Sequence, residues 1–302
     1  MAGGTSGRDE SDKVKNEKVK NISIPFALPS MGWELVILIN EMNMLKPDYG
    51  NWIPKKLLAL LYSACLASAV LLCVAVNCEW WLPLAVFFAV FLCVSLFFAY
   101  YMTVFYRAFS FSGGGMMGKV HEYVAQHLSW TGNGRLLDVG CGAGALTIRC
   151  AKRFPQAECT GLDYWGFKWD YNQSMCRHNA EAENVNERCK FMHGDANHLE
   201  FEDESFDAIV SNFVYHEVND GRSKEELLRE TLRVLKKGGC FALQDLFGQK
   251  SLYGDFRQIV ECLGKDVVSE IHYADSCKEI PIPKWMQVPG MLTGVGIIYG
   301  KK

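Results

Sequence analysis

The sequence has no Cys-x-x-Cys pair, although it contains 12 cysteines. A zinc site built on cysteine pairs therefore has no spacing to support it, and a chain with this much apolar sequence needs no disulfide framework. We interpret the thiols as reduced and mostly structural, which predicts no metal site and suits a domain facing the cytosol. The chain also lacks a large excess of either charge, with a formal net charge of -3. Its composition therefore does not indicate nucleic acid as a partner.

Charge is missing altogether from two long stretches, 57–76 and 81–106. A bilayer core of ~30 Å is crossed by about 20 helical residues, whereas a long core helix usually keeps a polar face. We therefore predict a transmembrane helical hairpin over 57–106, with membrane lipids as neighbours. Lys55, Lys56 and Arg107 flank the two stretches, while the short link between them carries only Glu79. This charge distribution predicts a two-span membrane protein with both termini and the following domain on the cytoplasmic side.

The sequence before the hairpin divides into two parts. Residues 1–30 mix charges of both signs with few large apolar residues at the start, which predicts a disordered tail. Residues 31–56 form an amphipathic or interfacial segment whose apolar run, 33–45, is too short to span a bilayer. That run lies along the membrane surface, covers the substrate entrance or packs on the soluble domain, and the sequence leaves these alternatives open.

From residue 107 to residue 302 the sequence alternates between strand-like and helix-like patterns. The patterns predict strands at 135–140, 158–163, 190–194, 206–212, 240–246, 267–273 and 293–300. They predict helices at 119–128, 146–154, 170–182, 224–237 and 253–263, with Gly238 and Gly239 ending the fourth of these. Such alternation is typical of an α/β domain with a Rossmann-like, doubly wound, mostly parallel seven-stranded sheet. Ligands of these sheets bind beyond the carboxyl ends of the strands.

A glycine loop follows the first predicted strand and contains Gly140, Gly142 and Gly144. Glycines allow a tight turn and a close approach of the backbone to a ligand, and the next helix offers free N–H groups. Nicotinamide enzymes use a similar loop, and Ala145 would complete their pattern. Asp138 argues against that reading, because a carboxylate just before the turn suits an ammonium-bearing amino-acid moiety and would repel a pyrophosphate.

The segment Asp138-Val139-Gly140-Cys141-Gly142-x-Gly144 resembles the first motif of the class I S-adenosylmethionine-dependent methyltransferases, in particular the small-molecule type. The resemblance runs from about residue 113 to the C-terminus. It implies S-adenosylmethionine as the cofactor, held at its amino-acid end by the glycine loop.

Three further positions agree with the resemblance. Asp163, at the end of the second strand, looks like the acid that binds the two ribose hydroxyls. Asp195 and Ala196, after the third strand, are similar to the pair that meets the adenine amino group. Residues 206–212 resemble the fourth-strand motif, which implies that Asn212 lies beside the transferred methyl. Each acid alone could instead cap a helix, but four motifs in the right order favour the cofactor site.

The residues nearest the methyl in this family follow the fourth strand. Here they include Tyr215, His216 and Glu217. His216 suits a general base, and Glu217 could orient or replace it. Tyr215 could close over the cofactor or the acceptor. The structural alternative is that His216 only packs or bonds the backbone.

The absence of two motifs restricts the class of molecule that can accept the methyl group. No Asn-Pro-Pro-Tyr segment follows the fourth strand, which argues against amino methylation of DNA bases or glutamine, and no Pro-Cys pair is present for cytosine methylation. We therefore predict a membrane-anchored methyltransferase acting on a small, lipophilic acceptor. The alternatives are an inactive cofactor-binding membrane scaffold, or a methyltransferase acting on a soluble small molecule or a protein. A nicotinamide oxidoreductase is disfavoured by Asp138 and Asp195.

Overall fold

The computed structural model describes residues 46–111, 115–166, 170–218, 221–287 and 292–302. The predicted disordered tail, 1–30, and the apolar run at 33–45 lie outside the described residues.

The first two described helices form an antiparallel hairpin. Helix α1 spans Lys55–Asn77 and α2 spans Leu82–Phe109. Both are long and apolar enough to cross a membrane, and only 11% of the most apolar window of each is buried. A core helix of a soluble protein would be mostly buried, and this exposure distinguishes the two helices from one. The residues buried between the helices are mostly small, and they include Ser68, Ala75, Ser95 and Ala99. Small side chains allow close approach of helices in a bilayer.

The remaining described elements alternate between strands and helices. The strands are β1 Gly134–Val139, β2 Ala157–Asp163, β3 Cys189–His193, β4 Phe206–Asn212, β5 Leu235–Asp245, β6 Glu270–Asp275 and β7 Gly296–Lys301. The helices are α3 Met116–His127, α4 Ala145–Arg153, α5 Gln173–Ala182, α6 Lys224–Arg233, α7 Lys250–Tyr253, α8 Phe256–Asp266 and α9 Ser276–Glu279. Two short 3-10 helices cover Asn186–Arg188 and Lys284–Met286.

The strands form one seven-stranded sheet in the order β3-β2-β1-β4-β5-β7-β6. Strands β1 to β5 are mutually parallel, and β7 runs antiparallel to both β5 and β6. This arrangement confirms the predicted fold class. Since β1 pairs with both β2 and β4, the chain reverses its direction of winding there, and the carboxyl ends of these strands open a crevice.

The prediction that Gly238 and Gly239 end a helix was wrong. Helix α6 ends at Arg233, and both glycines lie inside β5. Leu235, which lies within the predicted helix 224–237, belongs instead to β5 and pairs with Phe206. The register between β4 and β5 shifts just after this pair, and Gly238 takes a positive φ of 76° at the irregularity. The glycines therefore permit a bulged start of the strand.

Residues 46–54, here called the strap, run across the soluble domain before α1 begins. Asn179 on α5 is completely buried, and its side-chain amide makes two hydrogen bonds to the backbone of Asp48. Asn179 Oδ1 accepts from Asp48 N at 2.7 Å, and Asn179 Nδ2 donates to Asp48 O at 2.8 Å. The same amide donates to Ala143 O at 2.9 Å. Further along, Asn51 donates to Tyr106 O of α2 at 2.8 Å. The strap is thus tied both to the glycine loop and to the second helix of the hairpin.

Candidate functional site

A cavity of about 490 Å³ lies at the carboxyl ends of the parallel strands. Its walls come from the loops after β1 to β5, from the strap, from the end of α2 and from α3. The lining includes Tyr49, Trp52, Phe109, Met117, His121, Gly140, Gly142, Asp163, Asp195, Ala196, Asn197, Asn212, Phe213, His216, Glu217, Leu246 and Leu292. Most of the residues singled out from the sequence are therefore brought together in one place.

The glycine loop turns sharply because Gly140, Gly142 and Gly144 all have positive φ angles, which side chains disfavour. A Cβ on Gly140 would stand 2.1 Å from Val214 Cγ2, so the loop after β4 leaves no room for one. Gly144 precedes α4 directly, which places the start of that helix beside the cavity.

Asp163 connects the glycine loop to the end of β2. One carboxylate oxygen accepts from Gly142 N at 2.8 Å and the other from Trp165 N at 2.7 Å. Burial raises the pKa of this carboxyl, while the two backbone N–H groups oppose the rise. The carboxylate is thereby fixed in the cavity wall, and each oxygen keeps a lone pair for a ligand.

Asp138 is placed differently from the other predicted residues. It is buried behind the loop, does not line the cavity, and accepts from Thr147 Oγ1 at 2.6 Å. Burial raises its pKa to about 7, against the lowering effect of Thr147. Its direct contact with the cofactor stays a prediction, and its observed bond to α4 fits a role in holding the turn.

Asp195 and Ala196 follow β3 and line the same side of the cavity as Asp163. Asp195 is exposed, and its Oδ1 accepts from Asn197 N at 2.9 Å. Asn197, which the sequence reading did not single out, also lines the cavity, and its Oδ1 is buried. Among the described residues, nothing donates to that oxygen. A buried acceptor of this kind indicates a place for a ligand donor.

Asn212, at the end of β4, presents a second buried acceptor, which His121 orients. His121 Nδ1 lies 2.6 Å from Met117 O, so it must carry the proton. Its Nε2 is then an acceptor, and it lies 3.5 Å from Asn212 Nδ2. This leaves Asn212 Oδ1 turned the other way, where no described residue donates to it. Since Asn212 lines the cavity, its carbonyl is available to a bound molecule.

His216 and Glu217 lie in the cavity wall after β4. His216 Nδ1 is 2.7 Å from Asp245 Oδ1, and its Nε2 is 3.7 Å from Glu217 Oε1. The sequence reading missed Asp245, because it treated the residue as part of a buried strand. The rule applied to Asp163, an acid at the carboxyl end of a parallel strand, could have found it.

The expectation for Tyr215 needs correction. Its side chain is completely buried, does not line the cavity and donates to Thr231 Oγ1 of α6 at 3.1 Å. Burial, the largest cause, raises the pKa of its hydroxyl. The residue therefore packs α6 against the sheet and does not close over a cofactor or an acceptor.

Aromatic side chains from outside the core domain build the rest of the wall. Trp52 of the strap packs edge-on against Phe109 of α2 and against Phe213 after β4, at centroid distances of 5.3 and 5.1 Å. Because β4 and β5 lie on the other side of β1 from β2 and β3, this apolar wall lies on the side away from Asp163 and Asp195.

Comparisons with known proteins agree with this arrangement. Residues 137–243 match the family model described as a methyltransferase domain. A sterol 24-C-methyltransferase of Schizosaccharomyces pombe is 29% identical over 147 residues, which cover 49% of this chain and 36% of that protein. A demethylmenaquinone methyltransferase of Staphylococcus aureus is 38% identical over 106 residues, which cover 35% of this chain and 40% of that protein. The chain thus spans well under two thirds of the length of these relatives.

Among solved structures, a geranyl diphosphate methyltransferase in complex with geranyl diphosphate and sinefungin matches 65% of this chain and 82% of its own. It is 14% identical, with a TM-score of 0.47.

Residues 137–243 therefore match a methyltransferase domain, and they lie within the domain built on the seven-stranded sheet. This match and the relatives support the predicted class I S-adenosylmethionine-dependent methyltransferase family and its cofactor. The fixed carboxylate of Asp163, the glycine turn and the two buried amide oxygens form a polar surface that fits a nucleoside with hydroxyl and amino donors.

Because His121 is neutral in the folded protein, the free energy of unfolding depends on pH. Burial lowers its pKa to about 4 from an ordinary 6.5. Between these values the unfolded chain binds more protons than the folded one, so stability is lost as the pH falls from about 6.5 to about 4, by up to roughly 3 kcal/mol. We predict that His121→Gln removes this dependence. The measurement is urea unfolding of the full chain in detergent at several pH values.

The comparison between the two proteins isolates His121, because all other titrating groups, Asp138 included, are common to both. Equal pH slopes in the native chain and in the variant would contradict the prediction, whatever the baseline loss of stability from the substitution.

Proposed function

We propose that this chain transfers the methyl group of S-adenosylmethionine to a small lipophilic acceptor at a membrane surface. The observation that carries the proposal is that one cavity has a polar side and an aromatic side. Acids and glycines from the ends of β1 to β3 form one side, and aromatic residues next to the hairpin, Trp52 and Phe109, form the other. The names of the sterol and demethylmenaquinone relatives support an acceptor of this class.

Cofactor binding is assigned to the residues that line the first side and to Gly144 and Asp138, which belong to the same turn behind the cavity wall. Gly140, Gly142 and Gly144 would admit the amino-acid moiety, with Asp138 holding the turn. Asp163 would accept from the ribose hydroxyls, and Asp195 with Ala196 would meet the adenine. Asn212 Oδ1 would accept from a donor near the reacting methyl. The cofactor supplies an already activated methyl group, so the protein mainly provides alignment and a place for the acceptor's proton.

His216 is the candidate for receiving that proton. It lines the cavity beside Phe213 and Leu246, within the half built by β4 and β5. Glu217, 3.7 Å from His216 Nε2, would pass the proton on or hold the ring. An apolar acceptor packed on Trp52 would bring its reacting group to these residues.

Membrane anchoring follows from α1 and α2, which we propose to cross the bilayer once each. The strap continues directly into α1, and Lys56 at its start pairs with Asp170 of the soluble domain at 2.5 Å. The cavity would then lie within a few residues of the interface, where lipophilic compounds concentrate. Lys55, Lys56 and Arg107 would face the cytoplasm with both termini.

Cofactor binding is the first prediction of this proposal. Gly142→Arg fills the turn and Asp163→Ala removes the ribose acceptor, so each should abolish binding of S-adenosylmethionine. Isothermal titration of the full chain in detergent measures the affinity. The matched control is Glu158→Ala, an exposed acid at the opposite end of the same strand β2, which should bind as the native chain does. Full-strength binding by either site variant would refute the placement of the cofactor.

Methyl transfer is the second prediction. With labelled S-adenosylmethionine, the full chain should methylate at least one of nonylphenol, nonylaniline and nonylstyrene, and prefer it to the same compound without the nonyl chain. Trp52→Ala should lower kcat/KM for the nonyl compound about 10- to 100-fold, since an aromatic side chain covered by an apolar acceptor contributes ~1.5–3 kcal/mol. Cofactor affinity should stay unchanged.

The control for that experiment is Trp130→Ala, because Trp130 packs on Phe154 and does not line the cavity. Cofactor binding without transfer to any probe would favour the inactive scaffold. Preference for the short compounds would favour a soluble acceptor.

Membrane topology is the third prediction. Cys78 is exposed in the link between α1 and α2, whereas the exposed Cys73 and Cys93 lie within the proposed spans. In sealed vesicles whose cytoplasmic face is outward, labelling of the native chain and of Cys78→Ser by an impermeant maleimide should therefore differ only after the vesicles are permeabilised. A difference already present in the sealed vesicles would place the link on the cytoplasmic side and reverse the proposed orientation.

A further inference from the structure

The buried carboxylate of Asp245 holds His216 by two of its groups. Asp245 ends β5 and is completely buried. Its Oδ1 lies 2.7 Å from His216 Nδ1 and accepts from Leu246 N at 2.6 Å, while its Oδ2 accepts from His216 N at 3.3 Å. Ring and backbone of one histidine are thus anchored to the same acid, which fixes both the position and the rotation of the imidazole.

The anchoring also fixes the proton on the imidazole. A buried carboxylate accepts hydrogen bonds, so Nδ1 of a neutral His216 carries its proton toward Asp245. Nε2 then holds the lone pair, and any proton exchange between this ring and a molecule in the cavity goes through Nε2. A carboxylate behind the ring also stabilises the imidazolium that forms when Nε2 is protonated.

The charged and titratable neighbours of this pair act on it in different directions. Glu217 Oε1 lies 3.7 Å from Nε2 and adds a second negative charge, which favours a proton arriving at His216. Lys224 Nζ donates to the carbonyls of Tyr215 and Val218 in the same loop, so it holds the loop in place while its own positive charge opposes protonation of the ring. Behind the pair, burial and then the charge of Asp245 raise the pKa of Tyr253, which keeps that hydroxyl neutral.

We propose that Asp245 is the positioning residue that makes His216 a general base, and that the acceptor therefore carries a hydroxyl group. The inference rests on the proposed methyl transfer and adds the acceptor atom. In the transfer step the oxygen–methyl bond forms while the sulfur–methyl bond breaks, and the electron pair of the broken bond stays on sulfur. The hydroxyl proton passes to His216 Nε2, so charge and atoms balance.

The chemistry of the other acceptor classes explains why a base indicates oxygen. A neutral amine has a lone pair that attacks a sulfonium methyl without prior loss of a proton. An alkene also attacks without prior deprotonation, and the cation that it forms loses a proton only after the methyl group has been transferred. A hydroxyl is a weak nucleophile until its proton is drawn away, so an oriented His–Asp pair accelerates its reaction most.

The test of Asp245 is its replacement by asparagine in the full chain. Asp245→Asn removes the negative charge that stabilises the protonated ring, which weakens the base whichever amide atom faces Nδ1. We expect kcat for nonylphenol to fall about 100-fold or more, as removal of general base catalysis does, and S-adenosylmethionine affinity to stay within about twofold. His216→Ala should give a similar loss of kcat, and the double variant should lose little more.

The pH profile separates positioning from a merely structural effect. Loss of the carboxylate removes a charge that favours the protonated ring, so the acid limb of kcat should move to lower pH in Asp245→Asn. The control is Asp255→Asn, an exposed carboxylate that caps α8, which should leave both kcat and the profile unchanged. A native kcat or an unshifted acid limb in Asp245→Asn would overturn the role of Asp245.

The matched probes then test the acceptor atom. Nonylphenol, nonylaniline and nonylstyrene differ only in the reacting group, and mass spectrometry of the products locates the labelled methyl. Methyl on oxygen is the expected result. Methyl only on nitrogen or carbon would overturn this inference and leave the proposed function standing, whereas transfer to none of the probes would remove both.

Discussion

The turn between β1 and α4 requires three residues with positive φ angles, Gly140, Gly142 and Gly144, and the rest of the site is arranged around that requirement. Within the turn, the N–H groups of Gly140 and Cys141 both donate to Leu162 O on the neighbouring strand. The missing Cβ of Gly140 lets Val214 and the loop after β4 pack directly on the turn. A single backbone conformation therefore sets the distance between Asp163 at the end of β2 and His216 after β4.

The strap extends this constraint to the hairpin. Asn179 bonds the strap at Asp48 and the glycine turn at Ala143, while Asn51 bonds α2 at Tyr106. Buried hydrogen bonds of this kind are costly to leave unmade, at about 1–3 kcal/mol for each orphaned group. The position of Trp52 is thus determined from both ends, by the cofactor loop and by a helix that we propose to be membrane-embedded. The apolar wall of the cavity cannot move independently of either.

Sequence patterns were sufficient for the fold class of the domain. They also singled out Asp163, Asp195 and His216, because each lies at or just after a strand end that local periodicity defines. They failed where the decisive contacts are distant in sequence. Leu235 fits a helical apolar face as well as a strand, and only pairing with β4 decides between them. Tyr215 follows the same strand as His216, but the turn directs its side chain to Thr231 in the core. No local signal links the strap to the cavity.

The cavity has a polar wall and an apolar wall, and together they restrict which molecules can bind in it. The Oδ1 of Asn212 is buried and lacks a donor among the described residues, and the neutral His121 beside it keeps that oxygen turned away from its own ring. A plain hydrocarbon would cover this oxygen without bonding it, at a cost of about 1–3 kcal/mol. A fully polar molecule would place polar groups against Trp52 and Phe109, so that the apolar surface of these two side chains would not be buried against apolar atoms. The two walls together therefore fit the proposed pair of ligands, a cofactor that carries hydrogen-bond donors and an acceptor with an apolar body.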